Sequence, residues 1–349
     1  MKVVLYTSER SVSLQRVTND IRHVLEENGV EVSRLVLSAD VNPRNYEDCD
    51  GALIMMTFDP IWAKPFFIAA WIMMSDGVRT LFYTTVEGYP KRHMGDEWIY
   101  RDLTFIANSR YTKTRLAKVG ARVTDIVYHG VRVDEIRAFS FMRTMLRRDM
   151  GFSDDDFVVG YIAGAYRRKG HDMFAEAIKI VERKDPSIKF CILTQPQAVP
   201  AYSKLANCVV SDEFGQLSED YIYGFYHMCD LYAQASLSEG FGLPVLEALA
   251  SGTPVVHADY EPLSEITDVN TSFRVPVKAV VIDRTTAREH VGIDYELHMY
   301  DPKEFAEVII SAKDEVLRDR DEYRARCLER AKQFDIKKTY MRFVRLLER

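Results

Sequence analysis

Two glutamates, Glu239 and Glu247, flank a tight turn in the stretch EGFGLPVLE (239–247). Carboxylates beside a mostly apolar turn are costly to hold unless something binds them there. Gly240 and Gly242 permit backbone conformations closed to other residues and let a ligand approach the main chain. Pro244 suits a first helical turn, where its missing N–H would be unsatisfied anyway. The preceding run LYAQAS reads as a strand, so the turn lies where a parallel strand ends and a helix begins. Free N–H groups at such a place can receive a phosphate, although the helix dipole alone stabilises an exposed anion by only about 0.3–1 kcal/mol. A cation is therefore expected as well. Neither glutamate favours a phosphate at close range, but each accepts charge-assisted hydrogen bonds from hydroxyls. A diphosphate with hydroxyl-bearing groups on both sides, such as a nucleotide sugar, fits the whole string. Taken singly, Glu247 reads equally as a helix-dipole residue and Glu239 as a solvated loop residue.

The cations come from AGAYRRKGHD (163–172), where Arg167, Arg168 and Lys169 follow a strand and precede Gly170 and a helix. Such a triplet is commonly a solvated charge run. Its position at the C-terminal end of the first strand of a Rossmann-like domain, where ligands bind, favours a phosphate clamp instead. Other chemistries find no support. Asp154-Asp155-Asp156 and Asp48-Cys49-Asp50 precede apolar strands rather than following them, which suits a loop or cap. There is no HExxH and no Cys/His zinc spacing, no GxSxG elbow, and no GxGxxG after the first strand. No metal site and no bound cofactor are expected.

The elements that must position these residues alternate. KVVLYTS, VEVSRLVLS, CDGALIMMT, TLFYTTV, DLTFIANS and DIVYHGV read as strands, with the helical spacing of Val17, Ile21, Val24 and Leu25 ending at Asn28-Gly29. After an arginine-rich and then acidic stretch the alternation restarts with FVVGYIAGA, a helix near 172–181, KFCILTQ, NCVVSDEF, a helix through 221–228, LYAQAS, PVLEALASG and PVVHADY. This is the pattern of parallel sheets with helices on both faces. A length of 349 residues suits two domains. The expected fold class is α/β with two Rossmann-like domains: residues 1–140, a linker at 141–156, residues 157–330, and a basic amphipathic helix at 331–349 that either finishes the second domain or packs back on the first. Segment 278–300 has no clear period, and its length marks it as functional or mobile.

Composition is that of a soluble globular protein. The net charge of −6 gives no footprint for nucleic acid. Residues 1–150 carry 21 Lys/Arg against 19 Asp/Glu (+2) and residues 151–349 carry 25 against 33 (−8), so the first half is the one to meet an anionic surface. The five cysteines form no CxxC pair and suit a reducing compartment. The N-terminal run lacks the regions of a signal peptide. PFFIAAWIMMS (65–75) is the most apolar stretch. It is shorter than the roughly 20 residues that span a bilayer and reads as a buried helix. The expected location is cytoplasmic, with room for peripheral contact with a membrane.

The second domain resembles retaining glycosyltransferases of family 4, which have the GT-B fold of two facing Rossmann-like domains with a donor cleft between them. The resemblance rests on Arg168-Lys169-Gly170, LSEGFGLPVLEALASGTPVV (237–256) and DYEPLSEI (259–266), and in the first domain on FIANSRYTKTRL (105–116) and VYHGV (127–131). It implies that Lys169 with a nearby arginine binds the donor diphosphate. Glu239 would hold hydroxyls of the transferred sugar, the amides from Phe241 through Gly242 to Leu243 would cradle phosphate or sugar, and Glu247 would bind the ribose. Three positions depart from the family. Its arginine five residues before the lysine is Gly164 here, so Arg167 or Arg168 must substitute. Its double glycine after the first strand is the loop SERSVSLQR, leaving the amides of Ser11 to Ser13 as candidates. The histidine after TLFYTTV is absent; Glu87 either faces the reacting sugar or is an ordinary loop residue, and His93 is a further candidate. The nucleotide base is expected near Val209–Phe214, with Val210 and Glu213.

The resemblance implies a retaining, metal-independent hexosyltransferase that takes a UDP- or GDP-sugar and transfers to a hydroxyl of a glycan, lipid or small molecule. Other GT-B activities, a phosphorylase or a sugar-nucleotide epimerase, and a non-catalytic nucleotide-sugar-binding protein are the alternatives.

Overall fold

The computed structural model describes residues 1–92, 94–283 and 292–348. The chain divides into two compact units. The first comprises Met1–Gly130, Ile282–Glu296 and Phe334–Arg349, the second Val131–Val281 and Leu297–Gln333.

The first unit is built from β1 (Lys2–Tyr6), α1 (Val12–Glu27), β2 (Glu31–Val36), β3 (Gly51–Thr57), α2 (Lys64–Ser75), β4 (Arg79–Thr85), β5 (Gly88–Pro90), α3 (Glu97–Asp102), β6 (Thr104–Ala107), α4 (Arg110–Lys118) and β7 (Arg122–Ile126). Six strands form one parallel sheet in the order β2-β1-β3-β4-β6-β7. The order reverses between β1 and β3, so helices cover both faces. Ser11 and Ser109 cap α1 and α4, each accepting from an N–H that the helix leaves unpaired. On one face Phe67 of α2 packs on Phe82 and Phe105 of the sheet, with ring centroids 4.8 and 6.0 Å apart. The end of the chain, expected as one basic helix, forms two short ones, Ile336–Thr339 and Met341–Glu348, within this unit. Phe343, Val344, Leu346 and Leu347 are buried there.

Strand β5 pairs antiparallel with Ile293–Tyr295. Glu296 beside it is enclosed by Arg115, with which it forms an ion pair, and by the hydroxyls of Tyr111 and Tyr89 at 3.3 and 3.4 Å. Part of segment 278–300 is thus ordered β structure; residues 284–291 lie outside the described residues, as does His93.

The second unit opens with α5 (Val133–Ala138) and α6 (Met142–Asp149), followed by β8 (Phe157–Ile162), α7 (His171–Lys184), β9 (Ile188–Leu193), β10 (Cys208–Ser211), α8 (Glu219–Met228), β11 (Leu231–Gln234), α9 (Leu243–Ser251), β12 (Val255–Ala258) and β13 (Ser272–Val275). The parallel sheet runs β10-β9-β8-β11-β12-β13, reversing between β8 and β11. Stretch 141–156, expected as a linker, holds α6 and belongs to this unit. Its arginines have structural partners. Arg147, 1% exposed, donates to the carbonyls of Ser153, Asp156 and Met228 and to Asp230 Oδ2 at 3.2 Å. Arg143 reaches Asp230 Oδ1 at 2.7 Å.

Candidate active site

Two loops of the second unit meet at the carboxyl ends of β8 and β11, the strands between which the sheet order reverses. That is where open α/β sheets bind ligands, because neighbouring loops there diverge to opposite faces. The loop after β8 makes a single tight turn, Arg167–Lys169, and Gly170 enters α7 with φ +71°. A Cβ at Gly170 would collide with the Ala235 carbonyl oxygen, so glycine is what lets this turn lie against the loop after β11. The two loops are joined further by the Leu237 amide donating to the Arg168 carbonyl at 2.7 Å. The Tyr161 hydroxyl donates to the Lys169 carbonyl.

Upon this frame Lys169 Nζ contacts Glu239 Oε1 at 2.5 Å. The same oxygen accepts from Gln234 Nε2 at 2.7 Å, and that amide also reaches Ser236 Oγ at 3.1 Å. Burial pushes the Glu239 carboxyl up, but the charges of Lys169 and Arg168 and the hydrogen bonds from Lys169 and Ser236 outweigh it, holding the group below the usual glutamate range. Glu239 is therefore an enclosed carboxylate with its charge retained at neutral pH. Arg168 lies over the Tyr166 ring at 5.4 Å. Arg167 is exposed.

The turn into α9 depends on Gly242, whose φ of +99° is left-handed; a Cβ there would stand 2.6 Å from Leu263 Cδ2. Phe241 is buried, and Leu243 begins the helix. Glu247 is buried on the first turns of α9 and accepts from the Tyr226 hydroxyl at 2.6 Å. Gly164 is buried, its carbonyl accepting from His171 Nε2 at 2.9 Å. Val210 lies in β10 and Glu213 just beyond it, where Glu213 accepts from the Ser211 hydroxyl at 3.2 Å.

The structure thus joins Lys169 directly to Glu239 and stitches Arg168 to the same loop. Glu247 has its own partner on α8. Ser11, Ser13 and Glu87 belong to the first unit. Ser11 Oγ caps α1 through the Leu14 amide at 3.4 Å and lies 3.3 Å from Ser13 Oγ, while Glu87 is half-buried after β4. Gln234, Ser236 and Tyr226 were not among the expected site residues. Gln234 left a signal: it is the polar side chain at the end of the otherwise apolar run LYAQ.

Residues 142–272 match the family model described as glycosyl transferases group 1. Over the whole length, the chain is 29% identical over 356 residues to the uncharacterized glycosyltransferase 335 of Sulfolobus islandicus rod-shaped virus 1, covering 99% of this chain and all of that one. Family model and curated relatives alike name a glycosyltransferase, an enzyme of the transferase class. Among solved structures, a glycosyltransferase from Rickettsia africae superposes with a TM-score of 0.74 at 12% identity, covering 99% of this chain and 97% of that one. The Anabaena protein Alr3699/HepE, in complex with UDP, gives 0.73 at 16% identity with both chains covered completely. These neighbours are GT-B glycosyltransferases with two Rossmann-like domains, and this chain shares their fold. Lys169 and Glu239 both lie within the glycosyl transferases group 1 match.

Proposed function

We propose that the protein is a retaining, metal-independent glycosyltransferase of family 4 type that takes a hexosyl group from a nucleoside-diphosphate sugar and passes it to a hydroxyl acceptor. The observation that carries this reading is the enclosed Lys169–Glu239 pair at the strand-order reversal, 2.5 Å from atom to atom. A phosphate needs the cation and a sugar hydroxyl needs the carboxylate, and one molecule offers both. UDP is the ligand in the structure of the neighbour from Anabaena, which supports a uridine nucleotide as the first donor to try.

In this reading the diphosphate draws Lys169 and Arg168 toward it, and Glu239 accepts hydrogen bonds from the sugar. The bond from the anomeric carbon to the β-phosphate oxygen breaks. The acceptor oxygen then bonds to that carbon on the same face, and its proton passes to the departing phosphate. Preorganised cations that meet the growing charge of a leaving group are each worth about 2.7–4 kcal/mol of barrier. Amides from Phe241 to Leu243 would line the phosphate and sugar, with Glu247 on the ribose and Val210 and Glu213 near the base.

Thermal unfolding with UDP, GDP and their hexose conjugates tests the donor, since a ligand at about 100 times its dissociation constant adds about 2.7 kcal/mol of stability. Proton NMR of the product then reports whether the anomeric configuration is kept. Release of nucleoside diphosphate that depends on inorganic phosphate would point to a phosphorylase. Donor binding without release in the presence of any acceptor would point to a non-catalytic binder.

A further inference from the structure

Helix α2 is apolar nearly all round, and such a helix is ordinarily enclosed. In this protein only one side is. Phe66, Phe67, Ala69, Ala70 and Met73 are buried, whereas Ile68 and Trp71 are 43% and 49% exposed and Met74 is exposed as well. Two more apolar side chains join this surface. Ile61 is exposed in the turn that leads into α2. Met94 is fully exposed two residues from Asp96, which pairs with Lys64 at the start of α2 at 2.6 Å. The helix that sequence reading buries therefore presents an aliphatic and indole surface to the outside.

Helices α2, α3 and α4 share one face of the first sheet. The strands they connect step in one direction, β3 to β4 to β6 to β7, and right-handed crossovers then place the helices on one side. Contacts agree: Phe67 of α2 and Tyr100 of α3 both pack on Phe58, at 5.4 and 6.2 Å. Arg92 lies 5.8 Å from the Tyr100 ring and donates at 2.8 Å to the carbonyl of Val119, which caps α4. The charged residues of α4 are all basic, and Thr114 and Ala117 are exposed beside them. Arg110, Lys113 and Lys118, with Thr114, Ala117 and Ile126, line a cavity of about 650 Å³.

We propose that this face of the first unit docks on an anionic lipid surface. The side chains of Ile68, Trp71 and Met74 enter the boundary between headgroups and acyl chains, where indole and aliphatic groups are stabilised. Lys113 and Lys118 take lipid phosphates, their aliphatic stems covering the apolar floor of the cavity while the charged ends stay in the headgroup layer. A bilayer supplies the anions that α4 attracts and the apolar medium that α2 requires in a single partner. An isologous dimer through α2 would meet the apolar surface but set the same basic helix on both sides. This inference goes beyond the transferase reading and does not depend on it, because docking is measured without donor or acceptor.

The test is co-sedimentation of the full chain with vesicles of phosphatidylcholine alone and of phosphatidylcholine mixed with phosphatidylglycerol, with tryptophan emission as a second readout. Wild type should bind the mixed vesicles, shift its emission to the blue, and be released by salt. Ile68→Ser with Trp71→Ser, and separately Lys113→Glu with Lys118→Glu, should each weaken binding at least about tenfold. Both variants should keep the thermal midpoint of wild type. Absence of binding, equal binding to neutral vesicles, or binding unchanged in both variants overturns the proposal. So does a dimer in analytical ultracentrifugation that Ile68→Ser with Trp71→Ser abolishes, which would assign the face to a second copy of the chain.

Discussion

Lys169 and Glu239 neutralise one another at 2.5 Å, with side chains only 16% and 7% exposed. The cation proposed for the leaving group and the carboxylate proposed for the sugar are thus one electrostatic unit, and changing either alters the other.

Lys169→Ala should lower turnover by at least about 100-fold, the scale of losing one preorganised charge. It should also destabilise the protein, because truncating one member of a buried pair leaves the other uncompensated, at about 3–5 kcal/mol. Lys169→Met with Glu239→Gln should recover much of that stability and none of the turnover. Denaturant titrations of the two single variants and the double variant measure the coupling, and additive effects would contradict a direct pair.

Glu247 and Tyr226 should separate binding from stability. Glu247→Ala removes the proposed ribose ligand and should weaken UDP at least about tenfold by calorimetry, as expected for a charge-assisted hydrogen bond. Tyr226→Phe removes the 2.6 Å bond to Glu247 and leaves the carboxylate in place. It should cost stability in the range of about 1–3 kcal/mol with a smaller effect on the nucleotide. Equal effects on UDP would place Glu247 in the core rather than at the ligand.

Gly242→Ala should destabilise by about 1–3 kcal/mol through backbone strain alone, and its Cβ would press on Leu263 Cδ2. Leu263→Ala relieves the contact but not the φ of +99°. The double variant should therefore stay less stable than Leu263→Ala alone, as read from urea midpoints.

Acid should destabilise both units before their carboxylates titrate. Burial pushes His257 down to about 4 and His129 down to about 3, from an ordinary value of about 6.5. A depressed folded-state value means the unfolded chain takes up the proton first. The stability is whole above about pH 6.5 and is lost progressively as pH falls toward the folded values, with His257 alone contributing roughly 3 kcal/mol. Urea unfolding from about pH 7 to about pH 5 should show the midpoint falling; a flat profile would mean these imidazoles take up protons as readily in the native state as in the unfolded one.

Much of this was legible in the sequence because strands buried on both faces write continuous apolar runs. FVVGYI is one, and β8 is buried throughout. The turn at Gly242 and the turn that Gly170 closes after Arg167–Lys169 were legible for the same reason that they work, since few residues other than glycine satisfy those two backbone positions. What escaped depended on pairing across the chain. Gln234 becomes a site neighbour only when β11 sets it beside a carboxylate five residues on. Tyr226 matters through a contact with Glu247, 21 residues away. The run PFFIAAWIMMS has no polar stripe to reveal which side faces out, so composition alone placed it inside. The arginines of α6 read as part of a linker because a guanidinium ringed by carbonyls is spelled no differently from one in water.

Arg147 carries a practical warning for anyone surveying this enzyme by mutagenesis. Its substitution would abolish detectable product as thoroughly as loss of Lys169, and an assay of crude extracts would enrol it among phosphate ligands. Yet its guanidinium is committed to Ser153, Asp156, Met228 and Asp230, none of them a donor-binding candidate. The lesion would appear as missing soluble protein, and specific activity per folded molecule would tell the two phenotypes apart.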